Sequence, residues 1–359
     1  MNIQKVSIKN IRSIQKETIE FSKNTNLIYG KNGSGKTSVL EAIFLLCYTK
    51  TFRFAGQQNL ITNNKKNMST KGVFFNSNNK KTTVVYNKVK GEKKIKINNK
   101  EIKKTSEVLG QIPCVVLSPE DSDIVSGPNN NRVRYVDKIL STTNKKYLKN
   151  LIEFKKTLKH RNRLLKNKAN NTEILTWGEQ LIEPALEIWK QREVFFKRYE
   201  EQIQKQYEQL GEVSEVKVVY KRTAIETRDE YKENIKKTYN KDLVLQSTST
   251  GPHKDVVEFF WDKKDMRKEA SQGEKKLFLI ALKQSEAHYF YKKLNKKPII
   301  LLDDLFAKLD STKCIKVVSM LHNRFQTIIT STDNTVEPII NNIEAHTIQL
   351  KPPKLCFAA

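Results

Sequence analysis

The chain opens on an alternation of apolar and polar positions around Val6 and Ile8, the two-residue period of a half-buried strand. Short strands are also predicted over 19–21 and 27–29, the second running directly into Gly30. From Thr37 the period lengthens, with Leu40, Ile43, Phe44 and Cys47 at helical spacing. Between residues 72 and 102 the pattern returns to strands, over 73–75, 82–89 and 94–97, and Asn98-Asn99 follows as a turn. The continuous apolar run 114–117 predicts a buried strand.

From about Val136 to Leu210 the pattern is helical and heavily charged. Leu148, Leu151, Ile152, Lys155, Leu158 and Leu165 are expected along one face, with lysines and arginines opposite. A second helix is predicted from Ile188, Phe195, Tyr199, Ile203 and Tyr207, with Pro184 in its first turn or at a kink. No heptad persists over several repeats, so a short lobe is predicted and not a long coiled coil. Strands return over 216–220 and 256–261. The last hundred residues then alternate: a helix from Gln272, a strand over 299–302, a helix from Ser311 and a strand over 327–330. That alternation predicts an α/β fold with a parallel sheet.

Charge narrows the partners. Lys and Arg number 66 against 39 Asp and Glu, a formal net charge of +27. So large an excess points to a polyanion, with nucleic acid the natural candidate. Its densest basic stretch lies on the predicted helix near 155–168, where Lys159, Arg161, Arg163 and Lys166 are candidate phosphate contacts. No base-reading motif is visible, so selectivity for DNA structure is expected over selectivity for sequence. The four cysteines form no CxxC pair, which suits a reducing cytoplasm, and no apolar run is long enough to span a membrane.

The sharpest local chemistry is Gly30-Lys31-Asn32-Gly33-Ser34-Gly35-Lys36-Thr37, a match to GxxxxGK[ST] between a predicted strand and a predicted helix. Glycines let backbone N–H groups turn inward around phosphates, and the helix N-terminus adds its dipole. Lys36 is then placed to neutralise the β- and γ-phosphates, and the Thr37 hydroxyl to ligate Mg2+. A second acidic element comes from the apolar strand that ends in Asp303-Asp304. Asp303 is expected to hold Mg2+ through water, and Asp304 to orient or deprotonate the attacking water. Most of the chain separates Lys36 from Asp303, so something large is inserted between them.

Ahead of the acidic strand, Ala270-Ser271-Gln272-Gly273-Glu274 resembles the signature motif of ABC-type ATPases in the form RecF proteins use. Leu305-Phe306-Ala307-Lys308-Leu309-Asp310 takes the place of the D-loop. Further segments resemble RecF elements in order: Asn10-Ile11-Arg12, Leu40-Glu41-Ala42-Ile43, Thr51-Phe52-Arg53, Ser118-Pro119-Glu120-Asp121, the stretch from Arg132 to Asp137, Gly251-Pro252-His253-Lys254-Asp255 and Ile329-Thr330-Ser331-Thr332-Asp333. Departures are Glu274 and Lys275 where Gln is usual, Ala307-Lys308 in the D-loop, and Val133 in place of one Arg.

The resemblance to the RecF family implies an α/β, ABC-type P-loop ATPase head with a parallel-sheet core, an antiparallel β-subdomain and an inserted helical lobe. The expected divisions are 1–136 and 213–350 for the two halves of the head, 137–212 for the lobe and 351–359 for a tail. It implies an ATP-dependent homodimer in which Ser271 and Gly273 of one subunit complete the γ-phosphate site of the other. It implies weak, DNA-stimulated ATP hydrolysis and binding to single-stranded, gapped or junction DNA. Recombination mediator proteins are the expected partners, in recombinase loading at gaps and in the SOS response. The alternatives are an SMC- or RecN-like structural ATPase, and a DNA scaffold that binds ATP with little hydrolysis. A transporter subunit fits neither the charge nor the length of the insertion. His253 is open between a nucleotide or DNA contact and a buried, hydrogen-bonded histidine.

Overall fold

A computed structural model describes residues 1–53, 60–304, 311–322, 324–331 and 344–351. The chain divides into two compact units, residues 1–122 with 276–359 and residues 123–275.

The first unit carries two sheets. One is antiparallel, in the order β2-β1-β4-β5-β6-β7: β1 (Asn2–Ile11), β2 (Ile14–Glu20), β4 (Asn67–Phe75), β5 (Lys81–Val89), β6 (Glu92–Ile97) and β7 (Lys100–Glu101). Strand β2 begins five residues before the expected 19–21 because Gln15, Lys16 and Glu17 lie on a sheet edge, where exposed polar side chains are tolerated. Asn98 and Asn99 turn β6 into β7 with φ of 49° and 65°, left-handed values that asparagine accepts.

The other sheet is parallel, in the order β14-β3-β13-β12-β8: β3 (Thr25–Tyr29), β8 (Cys114–Leu117), β12 (Ile299–Leu302), β13 (Thr327–Ser331) and β14 (His346–Gln349). The register pairs Leu302 with both Leu117 and Ile329, and Ser331 with Tyr29. The C-terminal ends of β3, β13 and β12 therefore meet along one edge, where parallel sheets of this kind bind ligands. Helix α1 (Lys36–Tyr48) packs on strands of both sheets, and every residue from Ser38 to Tyr48 is buried. Its apolar residues run all the way round, as burial on both sides requires. Helices α8 (Gln272–Leu294) and α9 (Ser311–Leu321) complete the elements, with the first residues of α8 in the second unit.

The second unit begins in the short helix α2 (Ser122–Ser126). Around a sheet β11-β10-β9 it gathers α3 (Asn129–Thr143), α4 (Lys145–Lys166), α5 (Asn171–Glu179), α6 (Ile182–Gln209) and α7 (Arg228–Leu245). The strands are β9 (Val216–Lys221), β10 (Val256–Trp261) and β11 (Lys264–Asp265). The helices expected over 137–212 thus share a unit with three strands and with α2, the start of α3 and α7. In α6 the expected stripe is the buried one, Ile188 through Tyr207, with Pro184 in the first turn.

Helix α4 buries a face rotated from the one expected, with Leu151 and Leu165 common to both. Tyr147, Leu151, Phe154, Thr157, Arg161, Leu164 and Leu165 are inward, while Ile152 is 52% exposed. Helix α7 is not among the expected elements, although Tyr231, Ile235, Tyr239 and Leu243 recur every four residues along it. A capping box starts it, Thr227 Oγ accepting from Glu230 N–H while the Glu230 carboxylate accepts from Thr227 N–H. Val133 is buried, so the position where the family carries Arg is a packing position in this chain. No described helix is long and apolar enough to cross a membrane.

Candidate functional site

The loop after β3 has the conformation its glycines permit. Gly33 and Gly35 take φ of 79° and 99°, and Gly35 is the N-cap of α1. A Cβ on Gly35 would lie 2.9 Å from Ile14 Cγ1, so the close approach of β2 reinforces the requirement. Lys31, Asn32 and Gly33 are exposed at the turn, and Ser34 to Lys36 are buried beneath it.

Lys36 donates to the Gly30 carbonyl at 2.7 Å and the Lys31 carbonyl at 3.0 Å. Burial lowers its pKa from the ordinary lysine value, against the pull of Asp304 and Asp303. An ammonium resting on two carbonyls is one that an anionic oxygen can take over. Ser34 Oγ is buried and has no hydrogen-bond partner among the described residues. A buried hydroxyl without a partner is costly, and a phosphate oxygen in the loop would satisfy it.

The acidic strand end arrives from the far side of the chain. Thr37 Oγ donates to Asp303 Oδ1 at 2.9 Å across 266 residues of sequence, and Thr330 Oγ donates to the same oxygen at 2.9 Å. Asp303 is 5% exposed, and burial raises its pKa despite these hydrogen bonds and the nearby Arg53. A buried carboxylate disfavoured as an anion and touching the Thr37 hydroxyl suits a divalent cation, which would offset that cost. Asp304 follows with φ of 51°, a left-handed backbone held by its N–H donating to Thr330 Oγ at 3.1 Å. These residues fit ATP with Mg2+: a phosphate loop, a cation-binding hydroxyl–carboxylate pair, and a second acid adjoining them.

The surrounding frame is ionic. Arg12 makes a two-pronged pair with the fully buried Glu41, Nε–Oε2 and Nη2–Oε1 both at 3.0 Å, and Thr51 also donates to Glu41. This ties the Asn10–Arg12 segment and residue 51 to the helix that begins at Lys36. Sequence reasoning placed Thr330 in a motif but missed that it holds both acids. Its position near the end of a buried strand, a hydroxyl directly after Ile328 and Ile329, was the available signal.

In the second unit, Ser271 stands directly before α8 and Gly273 lies in its first turn. Ser271 Oγ accepts from Glu274 N–H at 3.3 Å, and the Glu274 carboxylate accepts from Ser271 N–H at 2.7 Å. Glu274 thus replaces the usual Gln without loss of the cap, and the Ser271 hydroxyl proton remains available for a ligand. The D-loop segment 305–310, together with Thr332 and Asp333, lies outside the described residues.

Of the four candidate DNA contacts, Lys159, Arg163 and Lys166 are exposed on α4. Arg161 is not. It is 0% exposed, and its Nη1 donates to Asp242 and Thr248 at 2.7 Å each. It lies four residues from Thr157 and from Leu165 on the buried face, so it anchors α4 to α7 and is unavailable to a phosphate. His253 resolves in the same direction. Burial lowers its pKa, and Nε2 of this half-buried ring lies 2.9 Å from the Thr248 carbonyl, a hydrogen bond within its own unit.

Comparisons with known proteins converge on one family. The RecF/RecN/SMC N-terminal domain matches residues 2–348. A DNA replication and repair protein RecF from Lachnoclostridium phytofermentans is 31% identical over 347 residues, covering 95% of each chain. That from a Thermoanaerobacter species is 33% identical over 342 residues, 92% of this chain and 94% of the relative. The solved recombination mediator protein RecF-ATPrS of the RecFOR pathway superposes with a TM-score of 0.89 at 26% identity, over 98% of this chain and 96% of that one. An SMC head at 15% identity and a TM-score of 0.56 shares the fold. With a matching family model over nearly its whole length and relatives above 30% identity along it, this chain belongs to the RecF family of the RecF/RecN/SMC ATPases.

Proposed function

We propose that this chain is a cytoplasmic recombination mediator that binds ATP and DNA and whose ATP switch works by dimerisation. The observation that carries the reading is the meeting of Lys36, Thr37, Asp303 and Thr330 at one strand edge, since an inert turn would need no such convergence. In this reading the segment 30–37 wraps the ATP phosphates and Lys36 transfers its hydrogen bonds from Gly30 and Lys31 to the β- and γ-phosphates. Thr37 and Asp303 would hold Mg2+, which would supply neutralisation of the charge developing on the phosphates. Asp304 orients the attacking water and takes its proton. Ser271 and Gly273 of a second copy close over the γ-phosphate, so the dimer gains contacts only while the triphosphate is intact.

The head is then divided between 1–136 and 213–350, with 137–212 inserted and 351–359 as a tail. Hydrolysis is weak and stimulated by DNA. The favoured DNA is single-stranded, gapped or at a junction, as the kinship with RecF proteins implies, and it is bound without sequence preference, in keeping with the +27 charge and the lack of a base-reading motif. Partner mediators, recombinase loading at gaps and SOS induction follow from the kinship with RecF proteins of the RecFOR pathway.

Sedimentation with and without ATP-Mg tests this. The native chain is expected to shift from monomer to dimer with ATP, and Ser271→Arg to stay monomeric while still binding nucleotide. A native chain that remains monomeric when saturated with ATP would overturn the dimer switch.

A further inference from the structure

The exposed side of α4 and the neighbouring α5 enclose an open concavity of about 690 Å³, and no acidic side chain lines it. Its cations include Lys156, Lys159, Arg163 and Lys166. Lys159, Arg163 and Lys166 make no salt bridge among the described residues, whereas Lys146, Arg228 and Lys232 of the same unit pair with Glu187, Glu183 and Glu179. Lys159 and Arg163 stand four apart on the helix, a like-charge spacing that opposes helix formation. The helix dipole favours cations in the last turn, which accounts for Arg163 and Lys166 and leaves Lys156 and Lys159, farther upstream, unexplained.

An aromatic pair forms part of the same wall. The Trp177 indole stacks on the His160 imidazole with centroids 3.8 Å apart and planes 23° apart. Arg163 Nη2 lies 3.2 Å from His160 Nε2, so the guanidinium donates and Nε2 accepts. The other ring nitrogen, Nδ1, is buried without a hydrogen-bond partner among the described residues. Trp177 itself is partly exposed. A row of uncompensated cations beside a braced, partly exposed indole is what a single strand requires, with phosphates on the cations and an unstacked base against the ring. A duplex keeps its bases stacked and would use only the cations.

We infer that the α4–α5 concavity is a single-stranded nucleic-acid site, with Lys159, Arg163 and Lys166 on phosphates and Trp177 as the stacking platform. The inference rests on the DNA-binding reading above and assigns it a place and a strand preference.

The test is anisotropy of a labelled short oligothymidylate, and of a duplex of the same length, titrated with full-length protein at several salt concentrations. Replacing Lys159, Arg163 and Lys166 together by Gln should flatten the log K against log salt slope by about 2, at roughly 0.7 per single-strand phosphate contact. A charge-matched set at exposed lysines outside the concavity, Lys217, Lys236 and Lys241, should flatten it far less. Trp177→Ala should weaken oligothymidylate binding about 5- to 150-fold, with Trp177→Phe restoring most of it. If the native chain binds the oligomer and the α4 triple variant matches it in affinity and slope, the site is wrong and the DNA reading stands. If Trp177→Ala leaves single-strand binding intact while the triple variant weakens single strand and duplex equally, the concavity tracks phosphates only and the strand preference is overturned. If the native chain binds neither probe, the DNA reading falls with the site.

Discussion

Lys36→Ala is expected to lower ATP turnover by about 10²- to 10³-fold, the range seen when one charged or hydrogen-bonding group is removed from a transition state. Phosphate release with saturating DNA would measure it. The size of the effect follows from the position of the ammonium. It sits on the Gly30 and Lys31 carbonyls inside the loop, and Asp303 and Asp304 lie close enough to favour its charged form. Among the described residues of the loop the other lysine, Lys31, is exposed at the turn. Alanine removes the cation and leaves the loop glycines and their backbone donors in place, so weak nucleotide binding should outlast turnover. Thr37→Ala would act differently. It removes one donor to Asp303 while Thr330 keeps the other, so a deficit that extra Mg2+ partly restores is expected there and not for Lys36→Ala. A Lys36→Ala protein with native turnover would show that the loop is not the catalytic nucleotide site.

Much of this site was legible because its chemistry is local. The GxxxxGK[ST] segment needs a strand before it and a helix after it, and β3 and α1 supply both. The acids at 303–304 were legible as the end of an apolar strand, which β12 is. Periodicity cannot report which distant strand delivers a third group. Thr330 holds Asp303 and Asp304 only because β13 lies next to β12 in the parallel sheet, a pairing fixed by the whole fold. Arg161 was misread for a related reason. Among Lys159, His160, Arg161 and Arg163 the charges alone give no face, and the helix rotation is set by where Tyr147, Leu151 and Phe154 pack. Once that rotation is fixed, Arg161 points inward to Asp242 on α7, a helix not among those expected.

Arg192 had the converse signal, a cation on an otherwise apolar stripe of α6, and it carries the largest expected stability effect. Arg192→Met should destabilise the second unit by about 3–5 kcal/mol, because it strands two buried carboxylates. Nη2 of Arg192 bonds Asp137 at 2.7 Å, Nη1 bonds Asp255, and Nε bonds the Tyr147 hydroxyl at 3.1 Å; Arg192 is 2% exposed. Asp255 also accepts from Trp189 and Tyr220, which joins α6 and β9 to the Gly251–Asp255 segment. Burial pushes Asp137 up, but Arg192, Lys155 and Tyr147 bring it below the ordinary carboxylate value. Burial raises Asp255 on balance, against Arg192 and its other hydrogen bonds. In the native protein the two therefore oppose each other in acid. Asp137 contributes stability above the unfolded-state value near 4, lost as pH falls through its folded pKa, while ionising Asp255 costs stability as pH rises through its own. Without Arg192 only Lys155 and Tyr147 act against burial at Asp137, and only Trp189 and Tyr220 at Asp255, so both folded pKa values should rise from their native positions. The deficit of Arg192→Met is then greatest at neutral pH and shrinks as the solution is acidified and the carboxylates take up protons. Urea midpoints of both proteins at pH 7 and pH 5 would read this directly. A deficit of the same size at both values would mean that the guanidinium acts by packing, and that its charge does not decide the stability of this core.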